Sequence, residues 1–196
     1  MGRDTAVIPT PEEIRALHRE VAPSAEAFDL VYTHCEIVWA LASQLIRARD
    51  LKVDEELVRA GCLLHDIGVH LLDGSEYIRH GVLGESFLRG RGCPAVVSRF
   101  CAHHTGVGLT RDDVRRQELP LPLADYLADS GEERLVMYAD KFHSKSTPPV
   151  FVTATTYAKS LRRFGAEHTA RFSALVNEYG EPDLTPPARR FGHAVV

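Results

Sequence analysis

The stretch Gly61-Cys62-Leu63-Leu64-His65-Asp66-Ile67-Gly68 decides how this chain is read. An imidazole and a carboxylate stand side by side among apolar residues on the last turn of an expected helix. Burying either group without a partner is costly. A metal ion removes that cost, because both groups then serve as ligands. The helix that delivers them is predicted to open at Asp54-Glu55-Glu56, where acidic side chains suit the positive end of the helix dipole. It carries Leu57, Ala60, Leu64 and Ile67 on one face and meets its terminator at Gly68.

Working outward, the preceding segment is the strongest helix in the sequence. Phe28, Val31, Tyr32, Cys35, Val38, Trp39, Ala42, Leu45 and Ile46 recur at three- and four-residue steps, an amphipathic stripe with His34 at its edge. Before it, Thr10-Pro11-Glu12-Glu13 joins an N-cap, a first-turn proline and a capping-box glutamate, which predicts a helix over about 11–21. Downstream, a helix from His80 to Leu88 ends near Gly90. Pro94 opens another, with Val97, Phe100, Cys101 and His104 at helical spacing. The stretch Gly106 to Asp129 is mixed and broken by Pro120 and Pro122. Ser130-Gly131-Glu132-Glu133 reads as a second capping box, launching a helix through Leu135, Val136, Ala139 and Asp140. Ser146-Thr147-Pro148-Pro149 is a break. A long final helix is expected over about 154–179, then a loosely ordered tail from Glu181. No run alternates convincingly as a strand, and no repeat is visible. The expected class is all-α, in one domain.

Composition agrees. The chain has 196 residues, 44% hydrophobic and 26% charged, with a formal net charge of −4. That size suits one domain with a self-sufficient core, and the charge offers no global field for nucleic acid. Cys35, Cys62, Cys93 and Cys101 form no C-x-x-C pair and read as reduced, mostly core residues of a cytoplasmic protein. The opening residues lack a signal-peptide pattern, and Ala6 breaks the myristoylation pattern that Met1-Gly2 would start. No segment is apolar for long enough to span a membrane. Arg111–Arg116, Arg162-Arg163 and Arg189-Arg190 read as solvated surface, and Phe164, Phe172 and Tyr179 as core or as the face of a homodimer.

The residues that carry chemistry sit on separate helices: His34, His65, Asp66, His80, His103, His104 and Asp140. Packed around one axis, such helices could aim them at a single point. Six or seven ligands exceed the needs of one tetrahedral zinc. They suit two ions roughly 3.5–4 Å apart that share a carboxylate, the arrangement that activates water and clamps an oxyanion. With no thiolate in the set, iron, manganese, cobalt, nickel and zinc are all admissible. His18, His168 and His193 have no sequence partners and read as structural or exposed; His70 and His143 read as surface residues or as neighbours of the ligands.

The order His34 … His65-Asp66 … Asp140 resembles the HD superfamily of metal-dependent phosphohydrolases, and His65-Asp66-Ile67-Gly68 matches the HDIG form of its motif. The resemblance covers about residues 28–145. Arg79-His80-Gly81-Val82-Leu83-Gly84 and His103-His104-Thr105-Gly106 look like the further histidines of two-metal members. The resemblance implies an HD-domain-like helical bundle: a core over 26–146, an N-terminal helical extension over 1–25, a helix over 147–180 packed on the core, and the tail 181–196. It implies that His34, His65, Asp66 and Asp140 bind a first divalent transition metal. Asp66 would bridge to a second, held by His80 and by His103 or His104, a choice the sequence leaves open. Two departures bear on substrate: Val69-His70 follows Gly68 where many members carry lysine, and no GYP signature follows His103-His104.

The implied activity is hydrolysis of a phosphate ester of a nucleotide or other small phosphorylated metabolite by metal-activated water. Arg79, Arg111, Lys141 and Lys145 are candidate cations for the phosphoryl group, with Lys141 and Lys145 ranked first because both closely follow Asp140. Two other readings use the same residues: an HD-type di-iron oxygenase, and a non-catalytic nucleotide-binding module. The segment between His104 and Asp140 is placed to act as a lid.

Overall fold

A computed structural model describes residues 7–196, and the reading of the first six residues lies outside it. Helices account for most of these residues: α1 (Pro11–Val21), α2 (Ala25–Arg49), α3 (Glu55–Leu64), α4 (His80–Gly90), α5 (Ala95–His103), α6 (Arg111–Arg116), α7 (Gly131–Asp140), α8 (Ala154–Leu161), α9 (Ala166–Tyr179) and α10 (Thr185–Phe191). Local chemistry sets several boundaries. Thr10 accepts from the Glu13 N–H while the Glu13 side chain accepts from the Thr10 N–H, a complete capping box for α1. Asp54 caps α3 through the N–H groups of Glu56 and Leu57. Among the described residues no helix is long and apolar enough to cross a membrane.

The long helix α2 is the axis of the fold, and its two halves serve two cores. Val31, Tyr32 and Cys35 pack with Ile14, Leu64, Leu88 and Val97 of α1, α3, α4 and α5. Ile37, Leu41 and Leu45 pack with Val136 and Tyr138 of α7 and with Phe172 and Leu175 of α9. His34 lies where the two clusters meet, 1% exposed. Phe172 and Tyr179 belong to the second core, with ring centroids 5.8 and 5.5 Å from that of Tyr138, while Phe164 stays 40% exposed.

The structure corrects the sequence reading at five places. First, α3 stops at Leu64, so His65 and Asp66 follow the helix rather than sit on it, and a 3₁₀ turn, Ile67–Leu71, comes next. There the chain crosses α4 at very close range: a Cβ on Gly68 would lie 1.9 Å from the His80 carbonyl oxygen. Second, the expected helix over 154–179 is two helices joined by a 3₁₀ turn, Arg162–Phe164. Gly165 interrupts it at φ 108°, a conformation open to glycine and strained for other residues. Third, the tail is ordered. Pro186 and Pro187 sit in the first turn of α10, where missing N–H groups cost nothing, so a proline-rich composition is compatible with a helix.

Fourth, three two-residue strands exist: β1 (His143–Ser144), β2 (Val150–Phe151) and β3 (Ala194–Val195). β2 is central, antiparallel to β1 and parallel to β3. Two residues are too few to display alternation in sequence. Fifth, the Ser130 box is only half made. Ser130 accepts from the Glu133 N–H, but the Glu133 carboxylate accepts from the Asp129 N–H and from Arg99. A full box forms instead at Thr110 and Asp113, opening α6.

Candidate metal centre

Five elements converge on one point. His34 comes from the middle of α2, His65 and Asp66 from the turn after α3, and His80 from the first position of α4. His104 caps the C-terminus of α5, and Asp140 is the last residue of α7. The two oxygens of Asp66 face different neighbours. Oδ2 lies 3.2 Å from His34 Nε2 and 3.5 Å from His65 Nε2. Asp140 Oδ1 completes that group, 3.0 Å from His34 Nε2 and 3.4 Å from His65 Nε2. Asp66 Oδ1 points the other way, 3.4 Å from His80 Nε2 and 3.5 Å from His104 Nε2. This second oxygen is buried without a hydrogen-bond partner.

The backbone fixes which ring nitrogens face inward. His65 Nδ1–H donates to the Cys62 carbonyl at 2.8 Å, His80 Nδ1–H to Tyr77 at 2.6 Å and His104 Nδ1–H to Phe100 at 3.0 Å. A carbonyl only accepts, so Nδ1 carries a proton in all three rings, and the neutral rings of His80 and His104 each present a bare Nε2 lone pair. Two such lone pairs, those of His80 and His104, face each other across 3.0 Å. Converging lone pairs and an orphaned carboxylate oxygen, all buried, want a cation. The donor set is nitrogen and oxygen, which suits the divalent transition metals named above. His34, His65, Asp66 and Asp140 could hold one ion, and Asp66, His80 and His104 another.

Charge follows the same layout. Burial pushes the His104 pKa down to about 4 and lowers that of His80, keeping both rings neutral. Burial would raise the Asp66 pKa, but the charges of Lys145 and His65 outweigh it and hold the carboxylate well below its ordinary range. The same contest at Asp140 is won by Lys141 and by hydrogen bonds from His34 and His65. His65 is raised, since Asp66 and Asp140 overcome the effect of its burial.

The other expected residues separate into those at the site and those away from it. Lys145 Nζ donates to Asp66 Oδ2. Lys141 Nζ donates to Asp140 Oδ2 at 2.6 Å and to the His104 carbonyl at 2.8 Å. Both ammonium groups line the cavity over the ligands, with Tyr77, Ile78, Thr105 and Gly106. Arg79 and Arg111 are exposed and absent from that lining. His103 is turned away from Asp66 and takes a bond from Arg99 at 3.0 Å. His103, Asp129 and Glu133 form a third potential ligand group among the described residues, but the Arg99 guanidinium already donates to both carboxylates. Between His104 and Asp140, Leu109, Val114 and Tyr126 pack with Ala102 in a small core of their own.

His143, expected at the surface or as a neighbour of the ligands, is such a neighbour, and His193, expected to be structural or exposed, stands behind it. His34 Nδ1 lies 2.9 Å from His143 Nδ1, and His143 Nε2 lies 2.9 Å from His193 Nδ1. With His34 Nε2 on a metal ion, protons would run outward, from His34 Nδ1 to His143 and from His143 Nε2 to His193. The small sheet makes this chain of rings possible, because β2 carries β1 on one edge and β3 on the other. A contact spanning residues 34 to 193 leaves no local sequence signal. His18 likewise has partners, the Leu63 carbonyl at 2.8 Å and His70 Nε2 at 3.2 Å.

A buried cluster of imidazoles around a shared carboxylate, in a helical bundle, defines a class of metal-dependent domains, and comparison with known proteins gives it a family. The HD domain model matches residues 31–145, more than half of the chain, and the chain belongs to that family. A tRNA (cytidine(56)-2'-O)-methyltransferase of Picrophilus torridus is 34% identical over 134 residues, 68% of this chain and 37% of that protein. An uncharacterized protein of Methanocaldococcus jannaschii is 40% identical over 113 residues, 56% of this chain and 64% of that protein. The chain thus spans under two thirds of these curated relatives. Among solved structures, the HD domain of the L. monocytogenes phosphodiesterase PgpH matches with a TM-score of 0.49 and 15% identity, over 86% of this chain and 96% of that one. The same domain in complex with cyclic-di-AMP gives a TM-score of 0.48 at 15% identity, over 87% and 96%.

Proposed function

We propose that the protein is a metal-dependent phosphohydrolase acting on a nucleotide or other small phosphorylated metabolite. The observation that carries this reading is Asp66, whose two oxygens face two separate histidine sets while ammonium groups stand at the mouth. A pair of divalent cations held by His34, His65, Asp66 and Asp140 and by Asp66, His80 and His104 would supply a water of lowered pKa as nucleophile. The chain's own residues do the rest. The three Nδ1–H bonds to backbone carbonyls hold His65, His80 and His104 in one orientation. Lys141 spends two of its N–H bonds on Asp140 and His104, which leaves one for a phosphoryl oxygen. Lys145 stands on the same wall and adds charge where the transition state gathers it. Two ammonium groups in the cavity wall favour an anionic substrate.

The tRNA methyltransferase names describe proteins of which this chain spans about a third, and the reading above rests on the site rather than on them. The test is release of phosphate or alcohol from a panel of phosphomonoesters and phosphodiesters by manganese-, iron- or zinc-loaded protein, in air and without oxygen. Hydrolysis indifferent to oxygen is expected. Oxygen consumption with no ester cleaved would overturn the reading in favour of a di-iron oxygenase.

A further inference from the structure

A file of three imidazoles runs from the metal centre to the strand β3. His34 Nδ1 lies 2.9 Å from His143 Nδ1, and His143 Nε2 lies 2.9 Å from His193 Nδ1. Neighbouring rings are close to coplanar, at 28° and 20°, with centroids 5.2 and 5.1 Å apart. At that spacing the rings meet edge to edge with their nitrogens in line, as hydrogen bonds in the ring plane require. His143 is 5% exposed, and these two contacts take up both of its ring nitrogens.

The last member of the file lies outside the residues that match the family. His193 stands between α10 and β3, well beyond residue 145. Its backbone is fixed on both sides. The His193 N–H donates to the Ala188 carbonyl at 3.2 Å, which sets the turn out of α10. Beyond it, the Val196 N–H donates to the Phe151 carbonyl at 2.9 Å, and the Thr153 N–H donates to the Val196 carbonyl at 2.8 Å. The His193 ring is half-buried, with its centroid 6.0 and 6.1 Å from those of Phe151 and Phe191.

We infer that His193 is a positioning residue of the metal centre: its Nδ1 holds the ring of His143, and that ring holds His34 with Nε2 toward the other ligands. The inference rests on the metal-binding role proposed for His34. A neutral imidazole that gives Nε2 to a cation carries its proton on Nδ1. His34 Nδ1–H then needs an acceptor, and His143 Nδ1 is in reach. His143 accepts there only as the Nε2–H tautomer, and that buried N–H needs an acceptor of its own. His193 Nδ1 supplies it. Without it, His143 loses its preference for the tautomer and ring orientation that serve His34, because either choice leaves one polar edge unpaired. The strand that follows the family's match is thereby part of the centre.

Two substitutions separate this role from packing. The Oδ1 of asparagine stands as far from Cβ as the Nδ1 of histidine, so His193→Asn restores an acceptor at the same place. His193→Phe keeps a ring against Phe151 and Phe191 and offers no acceptor. Zinc affinity of the full-length protein and both variants is measured by competition with a chelator, and urea unfolding of the metal-free proteins checks that each folds. His193→Phe is expected to weaken zinc binding at least about threefold, short of the roughly 10–100-fold of a direct partner, while His193→Asn stays within about twofold of wild type. A packing role gives the reverse order, because asparagine loses the ring and phenylalanine keeps it, and that order overturns the inference. Unchanged affinity in His193→Phe overturns it too, as does a loss in His193→Asn equal to that in His193→Phe. Each of these leaves the metal centre standing. Wild-type protein that binds no zinc overturns the centre and the inference together.

Discussion

Replacing Gly68 with alanine tests whether the close crossing of the 3₁₀ turn and α4 builds the centre. An added Cβ would lie 1.9 Å from the His80 carbonyl oxygen, 2.5 Å from Gly84 N and 2.9 Å from Gly84 Cα. Real Cβ atoms essentially never come within 3.0 Å of such neighbours, so the two backbones must part by about 1 Å. Overpacking costs about 1–3 kcal/mol and occasionally more. Here the obstacle is backbone with no rotamer to swing aside, which places the cost near 3 kcal/mol. For a chain of this size that is a fall in Tm of about 6–12 °C. His80 starts α4 and would move with it, far beyond the ~0.2 Å that ligand geometry tolerates. Denaturant unfolding of the chelator-treated protein reads the stability loss, and elemental analysis reads the expected loss of one ion of two. Gly131→Ala is the control, since its Cβ would meet nothing nearer than Val53 Cγ1 at 3.8 Å. If Gly68→Ala matched that control in both stability and metal content, the crossing would not be what positions His80.

Burial depresses the pKa of His18 to about 4, from an ordinary 6.5. The unfolded chain therefore binds a proton between those values that the folded chain refuses, and stability falls as pH drops from about 6.5 to about 4. The loss attributable to His18 is about 3 kcal/mol. Urea midpoints of wild type and His18→Gln, compared across that window, should converge as the pH falls; parallel curves would show that His18 contributes nothing. His143→Phe keeps a ring in place but removes the acceptor for His34 Nδ1–H. By analogy with other partners of metal-bound histidines it should weaken metal binding about 10–100-fold, measured by competition with a chelator of known affinity; an unchanged affinity would deny that the His34–His143 contact orients the ligand.

How much of this was legible in sequence depended on whether the cause was local. The capping residues Thr10, Asp54 and Ser130 and the apolar stripe of α2 act within one helix, and their helices start or run where those residues indicate. His34, His65, Asp66 and Asp140 were visible as an ordered set, and the fold brings them together. The placement of His104 beside Asp66, with its neighbour His103 turned toward Arg99, depends on where α5 ends and on Glu133 of another helix. The His34–His143–His193 chain depends on a sheet of two-residue strands that pairs distant segments. The break at Gly165 is a local signal masked by the apolar spacing that continues on both sides of it.

A two-metal site bridged by Asp66 underlies the proposed hydrolysis. Its most direct test is elemental analysis of protein purified without chelator or nickel affinity resin, beside Asp66→Ala treated identically. Two transition-metal ions per chain are expected in the wild type, with both lost in the variant. One ion in the wild type, or two retained without the Asp66 carboxylate, would contradict it.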